Sequence, residues 1–267
     1  MRHSHLIIYI ASLLAMVITS CSSTHGDEDN RLASSVVLGF SWYDPADAGT
    51  PVSSFRVNIY DAQGNLVFTR DKMTTREAAS TPIALPHGTY SASVTDGTFY
   101  STVHFEVTGD GMLVVDTPLR RITAQLTVIV EDAPAGATLS GRVLNASSDW
   151  HFAIATGGYV ELMFSPESKA VELPSAASDG GTITTTPLRL MPTVPADAHS
   201  LIEVEITEAD GTRRGSMLTC DPMLPAGKYT VRLNYNDIST PLTLSTVTIN
   251  KWETLFIYEG EVLNPLN

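Results

Sequence analysis

The sequence predicts an all-β protein built from two tandem antiparallel β-sandwich domains. Many short windows alternate apolar and polar residues with a period of two, while no long window repeats apolar residues at helical spacing. The chain has 267 residues, the length of about two domains. A pattern of strand, turn and strand that ends in Leu-Pro-x-Gly-x-Tyr occurs once in each half.

The repeated hexapeptide occupies residues 85–90 and again residues 224–229, and a matching strand and turn precede each copy at residues 55–64 and 202–211. Proline fixes φ and lacks an N–H, glycine tolerates positive φ, and leucine and tyrosine are apolar anchors for a core. The pattern therefore predicts a structural turn at the entry to a strand, without a ligand. The turn residues are Leu85, Pro86, Gly88, Tyr90, Leu224, Pro225, Gly227 and Tyr229.

The N-terminus has the pattern of a secretory signal. Arg2, His3 and His5 precede an apolar run at residues 6–18, which is too short for an ordinary membrane span. The ending Ile-Thr-Ser before Cys21 resembles the bacterial lipobox. This resemblance implies that residues 1–20 are removed and that Cys21 carries fatty acids such as palmitate. An ordinary signal peptide with an unrelated cysteine is the alternative.

Residues 21–34 have the composition of a polar tether, and they contain the acidic cluster Asp27-Glu28-Asp29. Acidic residues just behind a lipidated cysteine resemble the surface-export signal of Bacteroidetes lipoproteins. The resemblance implies an outer-membrane protein that faces the cell exterior. A plain tether in the periplasmic leaflet is the alternative.

Charge and cysteine content exclude two classes of protein. Removal of residues 1–20 takes away Arg2 and leaves 15 basic against 29 acidic residues, a net charge of −14. Such a surface repels phosphate backbones, so nucleic-acid binding is excluded. With Cys21 lipidated, Cys220 stands alone, so a disulfide-stabilised scaffold is excluded and Cys220 is expected to be a small buried residue.

Each domain is predicted as a series of short strands. Thr117 to Arg121 form the expected boundary because Pro118 interrupts the strand pattern, which gives domains at 35–119 and 120–267. Residues 72–80 are expected to hold one helical turn, and residues 165–181 the longest loop. The predicted strands are 35–43, 55–60, 66–69, 90–94, 99–107, 112–115, 122–130, 139–144, 150–154, 159–164, 182–190, 201–207, 214–219, 229–235, 242–249 and 253–258.

Several features together resemble the fimbrillin-like lipoproteins of Bacteroidetes, in particular the fimbrial anchor family. They are the lipobox cysteine Cys21, two β domains of unequal length, the segment 57–67 and the run 120–126 that opens the second domain. The resemblance implies two transthyretin-like sandwiches and a non-enzymatic lipoprotein that anchors or terminates a surface fimbrium. Its partners would be fimbrial subunits, joined through β-strands, and the membrane, joined through the lipid.

A shaft or tip subunit is the first alternative within the same family. There the resemblance implies maturation by cleavage after an arginine, which exposes a groove for a partner strand. Arg31 and Leu32, just before the first predicted strand, offer such a site. A solvated linker arginine is the simpler interpretation.

No catalytic motif is found, and neither a cofactor nor a metal site is expected. A surface lipoprotein that binds glycans through exposed aromatic residues is the second alternative. Its candidate residues are Trp42, Tyr43, Trp150, Tyr159 and Trp252. Exposed coplanar rings would favour glycan binding, and an open sheet edge would favour fibre assembly.

Overall fold

The computed structural model describes residues 33–50, 52, 54–109, 111–238 and 246–248. The structure is 60% strand and 6% helix, which confirms the all-β class. We call residues 33–121 the N-terminal half and residues 122–248 the C-terminal half. Within the described ranges no helix has the length and apolar character needed to cross a bilayer.

The N-terminal half holds one seven-stranded sheet in the order β3-β2-β5-β6-β7-β1-β4. One short helix, α1, begins after the Thr74 cap, where Thr74 and Glu77 form a capping box. The elements are β1 (Ala33–Trp42), β2 (Phe55–Asp61), β3 (Leu66–Met73), α1 (Thr75–Ser80), β4 (Ile83–Pro86), β5 (Gly88–Thr95), β6 (Phe99–Val107) and β7 (Met112–Arg121).

The C-terminal half holds two larger sheets and a separate two-stranded one. Its strands are β8 (Ala124–Glu131), β9 (Thr138–Ser147), β10 (Trp150–Ile154), β11 (Val160–Phe164), β12 (Ser168–Glu172), β13 (Ala176–Ala177), β14 (Ile183–Thr184), β15 (Leu188–Leu190), β16 (Ser200–Thr207), β17 (Arg213–Cys220), β18 (Lys228–Asn234) and β19 (Thr246–Thr248). One sheet has the order β12-β9-β16-β17-β19, with β13 also on β9. The other places β8 between β18 and the short strands β14 and β15.

Each half has its own cluster of buried apolar side chains. The cluster of the N-terminal half runs from Val36 to Leu119, and that of the C-terminal half from Ala124 to Ile238. Both follow the period-two pattern, as in β16, where alternate residues from Ser200 to Ile206 are buried.

The expectation of purely antiparallel sheets is wrong. β1 runs parallel to β7, β8 parallel to β18, and β17 parallel to β19. An alternating pattern gives the face that each residue occupies, but not the direction of the neighbouring strand. In both halves the parallel partners lie far apart in sequence, so no hairpin turn connects them and the sequence gives no local signal of their pairing.

The expectation that Pro118 ends a strand is also wrong, because β7 continues through it to Arg121. The carbonyl of Leu119 accepts a hydrogen bond from the N–H of Tyr43, so the backbone groups of Leu119 point toward β1. The backbone groups of successive residues point alternately to the two sides of a strand. The nitrogen of Pro118 therefore points away from β1, and its missing N–H costs no hydrogen bond to that strand. At the other end β1 begins at Ala33, inside the stretch 21–34 expected to be tether.

Residues 165–181 are not one long loop, because they contain β12 and β13, which both pair with β9. Pro174 separates these two edge strands. The strand expected at 182–190 is likewise divided into β14 and β15. Residues 1–32 and 249–267 lie outside the described residues, and with them the signal peptide, Cys21, Arg31, Leu32, Trp252 and the last predicted strand.

Candidate assembly site

The N-terminal strand β1 is an internal part of its sheet. Residues 35–42 pair with residues 112–119 of β7, and residues 33–36 pair with residues 83–86 of β4. Val36 and Leu38 are fully buried in the core of the N-terminal half. Removal of β1 would therefore expose a strand-sized groove lined by apolar side chains.

The sequence around β1 offers no basic cleavage site that would release it. Arg31 precedes β1, and residues 43–54, which connect β1 to β2, contain neither arginine nor lysine. The next arginine is Arg56, inside β2. Cleavage after Arg31 would leave β1 intact, because this strand begins at Ala33.

β18 presents a free edge in the part of the chain that the structure describes. It pairs with β8 on one side, and no described strand lies on the other. The N–H of Gln125 donates to the carbonyl of Gly227 across this ladder at 2.8 Å. The backbone groups of the odd-numbered residues of β18 therefore face β8, while the N–H of Thr230 points to the opposite edge.

In each hexapeptide turn the tyrosine hydroxyl forms a hydrogen bond with the backbone of the turn, but the partner atoms differ. The hydroxyl of Tyr90 donates to the carbonyl of Pro86 at 2.8 Å, and the hydroxyl of Tyr229 accepts from the N–H of Leu224 at 2.8 Å. Both rings are buried. Leu85 is a buried anchor as expected, but Leu224 is 56% exposed, which corrects the expectation of equivalent leucine anchors.

The turn glycines also differ from expectation. In the second copy Ala226, not Gly227, has positive φ, at 60°. A Cβ on Gly227 would lie 2.4 Å from Cε2 of Tyr229, so the glycine is required by the close approach of the ring. The two strands that follow the turns also pair differently, since β5 lies beside β2, whereas β18 lies beside β8.

A charged junction joins the two halves. Lys228 at the start of β18 forms an ion pair with Asp44, in the turn after β1. The largest effect on the Asp44 carboxyl is burial, which raises its pKa. Hydrogen bonds from Lys228 and the Ala46 N–H, with nearby positive charge, outweigh burial and leave the pKa below its ordinary value.

A second, more buried ion pair lies next to the junction. Arg121 donates to Asp47 from Nε at 2.7 Å, and its side chain lies over the ring of Phe99. Asp47 is 7% exposed. Sequence reasoning did not find these pairs, because nothing in the spacing of Asp44 and Lys228 signals a contact.

The aromatic candidates for glycan binding form no coplanar platform among the described residues. Trp42 packs on Phe99 and Trp150 on Phe152, with interplanar angles of 74° and 78°. Tyr159 is 44% exposed and meets His104 edge-on. Tyr43 lies against the guanidinium of Arg120 at 4.1 Å.

Cys220 and the acidic side chains provide no metal or nucleophilic site in the described ranges. Burial is the main cause that raises the pKa of the Cys220 thiol to about 12, and the charge of Asp221 adds to it. The thiol is therefore protonated and unreactive at neutral pH. No group of three or more His, Cys, Asp or Glu side chains is arranged to hold a metal ion in this part of the chain.

The fold and the site define an all-β protein whose N-terminal strand is seated inside a sheet and whose β18 has no second neighbour among the described strands. The sequence profile of the fimbrillin-A associated anchor proteins Mfa1 and Mfa2 matches residues 91–257. The chain belongs to this family, and the fimbrial anchor resemblance is confirmed. Such membership gives it a fimbrium-associated, structural role. No curated protein matches the chain significantly.

Several solved structures are similar to the chain at low sequence identity. The fimbrial anchor protein Mfa2 from Porphyromonas gingivalis has 14% identity and a TM-score of 0.40, over 76% of this chain and 90% of that one. A candidate cell adhesion protein from Bacteroides uniformis has 15% identity and a TM-score of 0.40, over 79% and 96%. A candidate adhesin from Bacteroides ovatus has 12% identity and a TM-score of 0.43, over 87% and 98%.

Proposed function

We propose that this protein is an outer-membrane lipoprotein, acylated at Cys21 and facing the cell exterior, that anchors or terminates a fimbrium. A fimbrial subunit joins it by adding a β-strand to a free sheet edge. The protein does this as a non-enzymatic component with two domains that divide between residues 121 and 124. Family membership and the lipobox sequence support the proposal.

The observation that carries the proposal is the seating of β1. A subunit in the middle of a fibre must open a groove for its neighbour, whereas here β1 fills the place between β7 and β4. Residues 43–54 lack a basic cleavage site, so β1 stays in place after any cleavage at Arg31. A subunit whose groove stays filled ends a fibre and does not extend it.

The free edge of β18 is the proposed attachment point for the partner strand. Its outward N–H group at Thr230 can donate to an added strand, as in other cases of β-augmentation. Main-chain hydrogen bonds would supply much of the contact, which is consistent with a site that has no special side chains.

The first experiment is affinity purification of the tagged lipoprotein from its own outer membrane, with mass spectrometry of the co-purifying chains and of its N-terminus. We expect an acylated Cys21 and a co-purifying fimbrial subunit. A mature N-terminus at Leu32 would contradict the lipid anchor and favour a tip subunit, because β1 would still fill its groove. Retention on a polysaccharide matrix without a protein partner would favour glycan binding.

A second experiment tests the β18 edge itself. Thr230→Pro removes an N–H that faces the free edge and leaves the ladder to β8 intact, because proline is tolerated at such edge positions. We expect the co-purifying subunit to be lost. Thr230→Val is the matched control, since it keeps the N–H and should keep the partner. Equal recovery with both variants would place the attachment point elsewhere.

A further inference from the structure

β10 and β11 form a two-stranded arm, residues 150–164, that projects from the C-terminal half. The arm continues the ladder of β9 and β12, because the N–H of Ser148 donates to Glu167 and that of Ser165 donates to Asp149. Among the described strands, β10 and β11 pair only with each other. An isolated two-stranded hairpin is marginally stable in water, so the arm needs a packing partner.

The partner is the outward face of β5 and β6 in the N-terminal half. Tyr90, Ala92 and Val94 of β5 point into the core, so Ser91 and Ser93 point outward. The hydroxyl of Ser91 accepts a hydrogen bond from the N–H of Val160 at 2.9 Å and donates one to the carbonyl of Gly158 at 3.1 Å. One side chain therefore holds the tip of the arm through two hydrogen bonds.

The tip fits closely on its seat. A Cβ on Gly158 would lie 2.6 Å from the carbonyl oxygens of Asp61 and Ala62, in the turn between β2 and β3. Val160 is fully buried, and Ser91 and Ser93 are 2% and 1% exposed. An alternating strand that would otherwise face water is thus covered by a segment of the other half.

We propose that the arm is a latch that fixes the orientation of the two halves and couples their unfolding. Without the latch, the halves are joined by the chain at residues 122–123 and by the charged junction of Asp44 and Lys228. The two hydrogen bonds of Ser91 with Gly158 and Val160 hold the arm in its seated position. Seating carries a load on the C-terminal half to the N-terminal half by a path additional to the covalent link and the charged junction.

The test is hydrogen exchange on the full chain without its signal peptide, comparing Ser91→Ala with Ser93→Ala. Ser93 lies on the same face of β5 and is equally buried, but its hydroxyl has no hydrogen-bond partner within the part of the chain that the structure describes. We expect about tenfold faster exchange for arm amides, including that of Val160, in Ser91→Ala and little change in Ser93→Ala. Unchanged protection of β9 and β16 would show that the C-terminal half stays folded.

A second variant and a distance measurement separate the latch from a purely local effect. Gly158→Ala should unseat the tip by steric clash, and spin labels on β3 and β17 should then show a broader distance distribution than in the parent protein. Equal exchange in the two serine variants, or an unchanged distance distribution when the arm exchanges faster, would overturn the proposal. Both readouts are independent of any fimbrial partner.

Discussion

The ammonium group of Lys228 contacts the carboxylate of Asp44 across the boundary between the two halves. Lys228 belongs to the repeated turn that leads into β18, and Asp44 caps a short 3-10 turn after β1. The contact therefore ties the proposed partner-binding strand to the strand that fills the N-terminal sheet. The arm and the hydrogen bond from the N–H of Ile122 to the carbonyl of Thr98 also join the halves.

The ion pair between Asp44 and Lys228 should stabilise the protein at neutral pH and lose its effect in acid. The pKa of Asp44 is lowered in the folded state, so its contribution is present above the unfolded value of about 3.9 and is lost as the pH falls through the lower folded value. Asp44→Asn should cost about 0.2–1 kcal/mol at pH 7 and almost nothing near pH 2, measured by urea unfolding. In a Lys228→Met background, the cost of Asp44→Asn at pH 7 should be smaller. A cost of Asp44→Asn that is the same at all pH values would contradict an ion pair between the two residues.

Arg121 should be far more sensitive to substitution than Lys228. Arg121→Met leaves Asp47 buried and unpaired, and it removes a hydrogen bond to Thr50. Breaking one partner of a buried pair costs about 3 kcal/mol or more in the free energy of unfolding. The double variant with Asp47→Asn should recover much of this loss in denaturant titrations. A double variant as unstable as Arg121→Met alone would show that the charge of Asp47 is not the cause.

The two hexapeptide glycines should respond differently to alanine. A Cβ at position 227 would lie 2.4 Å from the buried ring of Tyr229, whereas at position 88 the nearest ring atom of Tyr90 is 3.6 Å away. Gly227→Ala should therefore lower the free energy of unfolding by about 1–3 kcal/mol, as overpacking does. Gly88→Ala is the matched control and should cost less. Equal costs in thermal unfolding would mean that the Tyr229 ring moves aside freely.

The thiol of Cys220 should be inert in the folded protein. It is 2% exposed, and burial raises its pKa to about 12. A chromogenic disulfide reagent should react with less than a tenth of Cys220 at pH 8 in buffer and with all of it in denaturant. The measurement is made on a chain that lacks Cys21, so that Cys220 is the only thiol. Fast reaction without denaturant would indicate local opening of β17.

The sequence predicted the positions of most strands, because burial on one face of a strand imposes an apolar pattern with a period of two. β6 and β10 have the predicted bounds, and α1 lies inside the segment expected to hold a helical turn. The predicted strand 112–115 is shorter than β7, because proline normally ends a central strand and Pro118 therefore predicts the boundary. Only the pairing of β7 with β1 shows that Pro118 costs no ladder hydrogen bond.

By itself the sequence determined the all-β class, the fimbrial anchor family and the two strand-entry turns, because these follow from local patterns and motifs. Only the tertiary structure decided which strands run parallel, that β18 pairs with β8 and that Ser91 lies beneath the arm. Ser91 and Ser93 alternate with core residues as solvent-facing serines do, yet both are buried. The physical reason is that alternation shows which face a residue occupies, whereas what covers that face depends on residues distant in the chain.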